Sequence, residues 1–387
     1  MNLRIKPQPL QRWLHDFYSG LARTWLPPVA ELADLVAIAG ARAFPVQTAG
    51  AVDLSHPLEA ALHGPAFAHT RITWPSVNAW RLPDTYLVGD QGCVHLANGL
   101  QLGAQHAVWN CSTRKIRRPI RWLARHSNAP LFHLTGTNHE NRAHFVLEHL
   151  PRYFAANSTG QGLPAHCLIA PGHRAWQACY VELLGLQEAC LIEGSPGTLF
   201  TTELLLVPYL GGEATLPAPA TLRAMAAAMQ ARIRLPGERT AAPVLWISRR
   251  DAPDRQLANE EALVAITRRL LGEVEVVCLT HHDFPAQLTK LAGCQWIIGA
   301  QGQGLHLPFL TTGKQVVILE QGGPNHGHGW DAVFRDLAEL AGNHAVRLFS
   351  ERPPVTQGTG DWEFPTARFA TELTRLRTTW AGLSQSD

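Results

Sequence analysis

Gly299-Ala300-Gln301-Gly302-Gln303-Gly304-Leu305-His306-Leu307-Pro308-Phe309 decides how this chain is read. It follows the apolar run Trp296-Ile297-Ile298, which has the character of a buried strand. It precedes a second apolar run, Gln315-Val316-Val317-Ile318-Leu319. Glycine between a strand and a helix lets backbone N–H groups approach an anion closely, and the helix N-terminus adds partial positive charge. Glycine also serves where such a turn needs only tightness. The stretch alone therefore leaves a phosphate cradle and a packing turn both open.

Upstream, Val244-Leu245-Trp246-Ile247-Ser248-Arg249-Arg250 reads as a strand ending in arginines, followed by Arg255 and by Asn259-Glu260-Glu261 at the start of a helical pattern. Arginine after a parallel strand sits where open α/β sheets bind ligands, and its planar fork suits phosphate. The other reading of each arginine is a surface ion pair with Asp251, Asp254 or Glu260. Strands at 244–248, 274–278, 295–298 and 315–319 alternate with helices at 259–271, 284–292 and 303–311. That alternation predicts a parallel, doubly wound sheet.

The first half starts β-rich, with runs at 86–88, 93–96 and 107–109, after helical periodicity over 8–40 broken by Pro27-Pro28. It then alternates: strand 131–134, helix 141–156, strand 167–170, helix 175–184, strand 199–207. A proline- and glycine-rich stretch over 208–243 flanks an alanine-rich helix near 222–233 and reads as the inter-domain connection. A last helix near 365–380 follows Pro353-Pro354 and has the option of returning to the first domain.

At 387 residues the chain is long enough for two domains. A hydrophobic fraction of 46% and a mean hydropathy of −0.07 describe a soluble globular protein. The net charge of +2 gives no global attraction to nucleic acid. The seven cysteines include no Cys-x-x-Cys pair, which predicts reduced, cytoplasmic usage. No signal peptide and no run of eighteen apolar residues is read.

Two blocks together resemble glycosyltransferase family 61. One is Ile247-Ser248-Arg249, Arg255, Asn259-Glu260, Gln287 and the Gly299–Phe309 turn with Glu320 beyond it. The other is Asn141-Arg142-Ala143-His144-Phe145-Val146-Leu147-Glu148-His149-Leu150-Pro151-Arg152. The resemblance covers roughly residues 85–350. It implies a GT-B-like α/β fold, two Rossmann-like domains facing a cleft: an acceptor-side domain over 1–215, a linker over 216–243, a nucleotide-sugar-binding domain over 244–352 and a helical extension over 353–387. It further implies an inverting glycosyltransferase of the capsular-polysaccharide type, with a saccharide or lipid-linked acceptor. Where the family often has His-Gly-Ala-Gly-Leu, this chain has Gln301-Gly302-Gln303-Gly304-Leu305. Gln301 carries no proton at neutral pH, so a non-catalytic sugar- or nucleotide-binding protein is the alternative.

On the helix from Asn141, the residues Asn141, His144, Glu148 and Arg152 fall near one another, away from Val146, Leu150 and Tyr153. His144 is expected to be the base that takes the acceptor proton, with Glu148 as its orienter or as the base itself. The bland reading is a solvated polar face. Asn141 and Arg152 are expected to contact the acceptor. Diphosphate binding falls to Arg249, Arg255, Asn259, Gln301 and the Gly302-Gln303-Gly304 backbone. No Asp-x-Asp triplet occurs, so no metal and no cofactor is expected. Glu320 is read either as an acceptor for ribose or sugar hydroxyls or as a structural acceptor for loop N–H groups. His326 and His328, in a glycine loop, are expected to touch substrate. His281-His282-Asp283 is read as chance clustering, with Asp283 capping the next helix. The basic run Arg114–Arg125 is either a solvated face or an attraction to an anionic membrane surface or acidic polysaccharide, with the protein peripheral at the inner face of the membrane.

Overall fold

The computed structural model describes residues 29–30, 35, 38, 40–89, 92–97, 100–102, 124–136, 138–194, 197–211, 216–233, 243–322, 332–351 and 360–383. The expected helices over 8–40, the strand at 107–109, the basic residues Arg114–Arg121, and His326 and His328 lie outside that set, apart from the last few positions of the first stretch.

Two large sheets carry the α/β chain. The second is the simpler. Its five strands are all parallel and lie in the spatial order Val274–Val277, Val244–Ile247, Trp296–Ala300, Gln315–Glu320, His344–Phe349. In chain order this is 2-1-3-4-5, with the reversal of direction between the first strand and the third. In such a sheet, ligands bind at the carboxyl ends of the two strands that flank the reversal. Both faces are covered, so the three inner strands are apolar through their middles rather than alternating, while the edge strand Val274–Val277 keeps Glu275.

One face holds Trp246, Leu263, Trp296, Phe369, Leu373 and Trp380. These join helix Glu260–Leu271 to the final helix, Thr366–Leu383. The final helix therefore stays on the second sheet and does not return to the first. Burying each large apolar side chain contributes about 1.5–3 kcal/mol, and this helix commits four of its own, Phe369, Leu373, Leu376 and Trp380, with Trp296 stacked edge-on against Trp380 at 4.8 Å.

The first sheet is mixed. Its middle strand, Val77–Val88, runs antiparallel to Thr198–Leu206, with Leu87 opposite Leu199. Beyond it, Leu131–His133, His166–Ile169 and Leu191–Glu193 run parallel. The β-rich beginning and the later alternation are thus two parts of one sheet. Arg125 lies on the short strand Arg125–Ser127 and donates to the Glu193 carbonyl at 2.7 Å. It does not share a helical face with the basic residues before it.

A single apolar core continues from the first sheet into the free face of the second. Helix Pro219–Gln230 sits inside it, burying Leu222, Met225 and Met229. Gln230 Nε2 donates to the carbonyls of Thr311 and Phe309 at 2.9 and 3.2 Å. The connecting stretch is therefore packed where this helix runs.

A second link comes from far upstream. The hairpin Gly50–Ser55/His69–Trp74 carries helix Pro57–His63 to the edge strand His344–Phe349. There, Glu59 accepts from Arg347 Nε and Nη2, both at 2.9 Å, and from Arg335 Nη1. Arg335 also grips Asp336 through Nε at 2.8 Å and Nη2 at 2.6 Å. All four residues are buried. None of the described helices is long and apolar enough to cross a membrane.

Candidate active site

The switch point of the second sheet lies between Val244–Ile247 and Trp296–Ala300, so the segments leaving those strands meet over it. The first delivers Arg249 and the second delivers Gly302. A Cβ on Gly302 would overlap the Arg249 guanidinium, so a side chain there would displace the arginine. The neighbouring glycines have a different purpose. A Cβ on Gly299 would come 3.0 Å from the Ile247 carbonyl, and one on Gly304 would come 2.6 Å from Leu279 Cδ1. Gly299 and Gly304 serve close packing; Gly302 makes room for the arginine. Gln303–Leu310 is a 3₁₀ helix rather than an α-helix, and it starts just past the carboxyl end of Trp296–Ala300.

Arg249 is mostly buried and poorly paired. Its Nη2 reaches Asp254 Oδ1 only at 3.5 Å and the Asp254 carbonyl at 3.2 Å. Its Nε is buried with no hydrogen-bond partner among the described residues. Burial pulls its pKa below the ordinary value, and the charge of Arg255 pulls it further, partly offset by Asp254 and Asp251. Two guanidiniums beside each other, one of them desolvated, raise each other's energy until an anion arrives. Arg255 itself has φ +53°, a left-handed conformation that costs a non-glycine residue of order 1–3 kcal/mol.

The motif residues around these arginines fix the loop. Ser248 Oγ donates to Glu260 Oε1 at 2.8 Å, and Arg250 Nε pairs with the same oxygen at 2.7 Å. Arg250 is thus the ion-paired arginine, while Arg249 is left over the turn. Asn259, expected to bind the donor, is engaged with the C-terminal segment. Its Nδ2 donates to the Phe364 carbonyl at 2.7 Å and its Oδ1 accepts from Phe364 N–H at 3.2 Å, so both ends of the amide hold the C-terminal segment. Glu320 is buried on its strand, 4.0 Å from Arg347 Nη1 on the next, and this charge pairing favours its structural reading. Gln287 donates to the carbonyls of Leu279 and His282, and Asp283 caps helix Phe284–Gly293 by accepting from Ala286 N–H at 2.8 Å.

Across the turn lies the segment from Asn141. It opens as a helical turn, Arg142–His144, with Asn141 as N-cap: its side chain accepts from Ala143 N–H at 2.9 Å and His144 N–H at 3.4 Å. A π turn follows over Phe145–His149, closed by Leu150 N–H on the Phe145 carbonyl, before helix Leu150–Ser158. Pro151 explains it. Proline has no N–H for the Leu147 carbonyl, and its ring pushes that carbonyl away, which widens the turn before it.

Widening rotates the later side chains inward. His144 Nδ1 and Glu148 Oε1 are 2.6 Å apart, as the spacing predicts, but Glu148 is buried rather than on a solvated face. A buried carboxylate accepting from Nδ1–H puts the basic lone pair of His144 on Nε2. Arg152 departs from its expected role in acceptor contact. It is buried and donates to the Thr135 carbonyl at 2.9 Å, to the Val207 carbonyl at 3.3 Å and to His149 Nδ1 at 2.6 Å. It braces the helix against the sheet.

A contact not read from the sequence joins the two sides. Tyr180, on helix Arg174–Glu182, and His306, in the 3₁₀ helix, are 2.6 Å apart through the phenol oxygen and Nε2. His306 Nδ1 bonds the Gln303 carbonyl. That bond requires Nδ1–H, so Nε2 accepts from the Tyr180 hydroxyl. Burial holds the His306 pKa down to about 4, so the pair stays neutral. The partners are 126 positions apart, and no local pattern joins them.

Among the described residues, metal-ligand atoms converge at His56, Asp336 and Glu339. Asp336 is already gripped by Arg335, and His56 Nδ1 is 2.7 Å from Glu339 Oε2. A cavity of about 480 Å³ beside Glu339, lined also by Pro57, Arg223 and His344, shares no residue with the switch point. None of the described cysteines forms a disulfide.

A comparison with curated proteins found no match. Residues 143–318 match the family model described as Glycosyltransferase 61, a span enclosing His144, Glu148, Arg249, Arg255 and Gly302, and this match supports the chain as a member of glycosyltransferase family 61, a family that implies sugar transfer between a donor and an acceptor saccharide.

Proposed function

We propose that this protein is an inverting, metal-independent glycosyltransferase that moves a sugar from a nucleotide-sugar donor to a saccharide acceptor. The observation that carries the reading is Arg249, under-paired and mostly buried, lying against Gly302 at the switch point with Arg255 beside it. A nucleoside diphosphate supplies the negative charge that this pair lacks, and the first N–H groups of the 3₁₀ helix add to the cradle.

In the proposed step, His144 Nε2 takes the proton of an acceptor hydroxyl while Glu148 stabilises the imidazolium that forms. The acceptor oxygen bonds to the anomeric carbon from the face opposite the diphosphate. The bond from that carbon to the phosphate oxygen breaks, and its electron pair leaves with the diphosphate onto Arg249 and Arg255. One displacement inverts the anomeric centre. The proposed frame is GT-B-like, with acceptor side and donor side meeting at the Tyr180–His306 contact. Synthesis of a bacterial surface or capsular polysaccharide, at the inner face of the membrane, is the proposed setting.

A non-catalytic binding protein is the second reading, favoured by Gln301 where the family often has histidine. The test is thermal shift against UDP, GDP, ADP, TDP and CMP, with and without EDTA, followed by release of free nucleotide from the matching nucleotide sugars in the presence of mixed saccharide acceptors. Stabilisation by one nucleotide that ignores EDTA, together with acceptor-dependent release, supports the transferase. Stabilisation without release supports the binding protein. A response to none of the nucleotides sinks the transferase and leaves only a sugar-binding form of the second reading.

A further inference from the structure

Arg142 lies just ahead of the matched span and has no part in the step above. Its guanidinium carbon sits 5.8 Å from the centre of the Trp176 ring. Among the described residues no carboxylate pairs with it, and no hydrogen bond holds its side chain. Arg250, Arg335 and Arg347, by contrast, find carboxylates at 2.9 Å or less. It is only partly exposed. Its charge is felt by Tyr180 and by His306, which places it at the seam between helix Arg174–Glu182 and the donor turn.

The surroundings are those of a ligand site. Arg142 follows the loop that leaves the parallel strand Leu131–His133, which pairs with His166–Ile169, and carboxyl ends of parallel strands are where such sheets bind ligands. The loops that leave them bring His139 and His173, with ring centres 5.4 Å apart. Trp176 Nε1 donates to His173 Nδ1 at 3.3 Å. The only acid nearby on these loops is the exposed Glu140, 3.8 Å from His139. The crevice is aromatic, with Arg142 unpaired in it among the described residues and the carboxylates of Glu140 and Glu193 acting on His173.

We propose that Arg142, stacked on Trp176, binds a carboxylate or phosphate carried by the acceptor saccharide, so that the preferred acceptor is an anionic sugar chain. This rests on the reading of the first-sheet crevice as the acceptor side. Side chains two apart on a helical turn project to different sides. Arg142 therefore does not meet the hydroxyl that His144 deprotonates. It meets the neighbouring unit of the chain, and that distance sets which unit must be charged. The donor diphosphate is a poorer match, because Arg249 and Arg255 already stand at the switch point.

The test uses the full chain and three probes: methyl β-D-glucuronide, the neutral methyl β-D-glucoside, and the nucleotide that the thermal-shift panel selects. Binding is followed by ligand-observed NMR titration for wild type, Arg142→Gln and Arg142→Lys. A charged hydrogen bond of the usual strength predicts that wild type binds the glucuronide about ten-fold or more tighter than the glucoside. Arg142→Gln should erase that preference and Arg142→Lys should keep part of it, with nucleotide affinity unchanged in both. Methyl groups at the glycoside should stay in contact in all three proteins, which reports an intact crevice. No preference in wild type overturns the proposal, as does a preference that survives Arg142→Gln. A loss of nucleotide affinity in Arg142→Gln assigns the residue to the donor and overturns it too. If wild type binds no nucleotide yet prefers the glucuronide, the donor reading fails and the anionic subsite stands.

Discussion

Two groups of buried or half-buried charge face different fates in this molecule. At the seam with the upstream hairpin, Arg335 and Arg347 meet Glu59 and Asp336 with short, multiple hydrogen bonds, and Glu320 adds its charge 4.0 Å from Arg347. At the switch point, Arg249 and Arg255 share one indifferent aspartate, Asp254, at 3.5 and 3.9 Å. The same residue type is largely satisfied in one place, where only Nη1 of Arg347 lacks a hydrogen bond among the described residues, and left wanting in the other. A charge cluster that closes on itself holds structure together, whereas one that stays open is balanced by something the chain does not contain. Buried charge is therefore not in itself a sign of a site; its pairing has to be followed to the last oxygen.

The sharpest way to break that contrast is at the open side. His144→Ala should lower turnover by about two to four orders of magnitude while donor binding stays near wild type. Glu148→Gln should cost less if it only orients the ring, and as much or more if it is itself the base. A folded, donor-binding His144→Ala protein with turnover within a few-fold of wild type removes His144 from the chemistry. On the closed side, Glu59→Gln strands two arginines and should lose about 3–5 kcal/mol of stability in denaturant titration. An unchanged midpoint there means the cluster is not the clamp described.

Next in size, Arg249→Ala should weaken binding of the nucleoside diphosphate by about 1.5–3 kcal/mol and leave the bare nucleoside unaffected, with no loss of stability. Equal losses for both ligands place Arg249 outside the phosphate site. The smallest effect is a pH dependence. Burial pushes the Glu339 carboxyl up from 4.5 to about 8, against the pull of Arg335. Its contribution to stability is full below pH 4.5 and is lost as pH rises through 8. Burial and Arg335 hold His56 down from 6.5 to about 4, so its contribution is full above 6.5 and is lost as pH falls through 4. For Glu59, burial is outweighed by Arg347 and Arg335, which hold it down to about 2, and it contributes fully above 4.5. Between pH 6.5 and 8 only Glu339 of these three is changing. Wild type should therefore lose melting temperature across that window faster than Glu339→Gln, and parallel curves would refute it.

Four strands of the second sheet were legible because they are short, mainly apolar runs separated by helix-length spacers, which also imply the parallel order; His344–Phe349 was not, since Arg347 interrupts its apolar run. The His144–Glu148 pair was legible because four residues make one helical turn. What lay hidden depends on partners distant in sequence. Asn259 reads as a cap or a ligand until Phe364 is seen against it, 105 positions away. Glu320 needs Arg347, and Tyr180 needs His306. Arg152 failed for a local reason: Pro151 shifts the register, so the 3.6-residue spacing that put Arg152 beside His144 on an outer stripe does not apply past the π turn. Glu59 drew no notice at all, since nothing near it marks a residue whose counter-ions come 276 and 288 positions later.

That last pairing bears on how the molecule can be dissected. A cut anywhere in 208–243 separates the five-stranded sheet, with its switch point, from the hairpin over 50–74. The excised piece would keep every residue assigned to the donor and still carry Arg335 and Arg347 in an apolar wall without Glu59. The smallest self-sufficient unit containing the donor turn is therefore discontinuous: it takes its one indispensable anion from a loop that belongs, by position in the chain, to the other half.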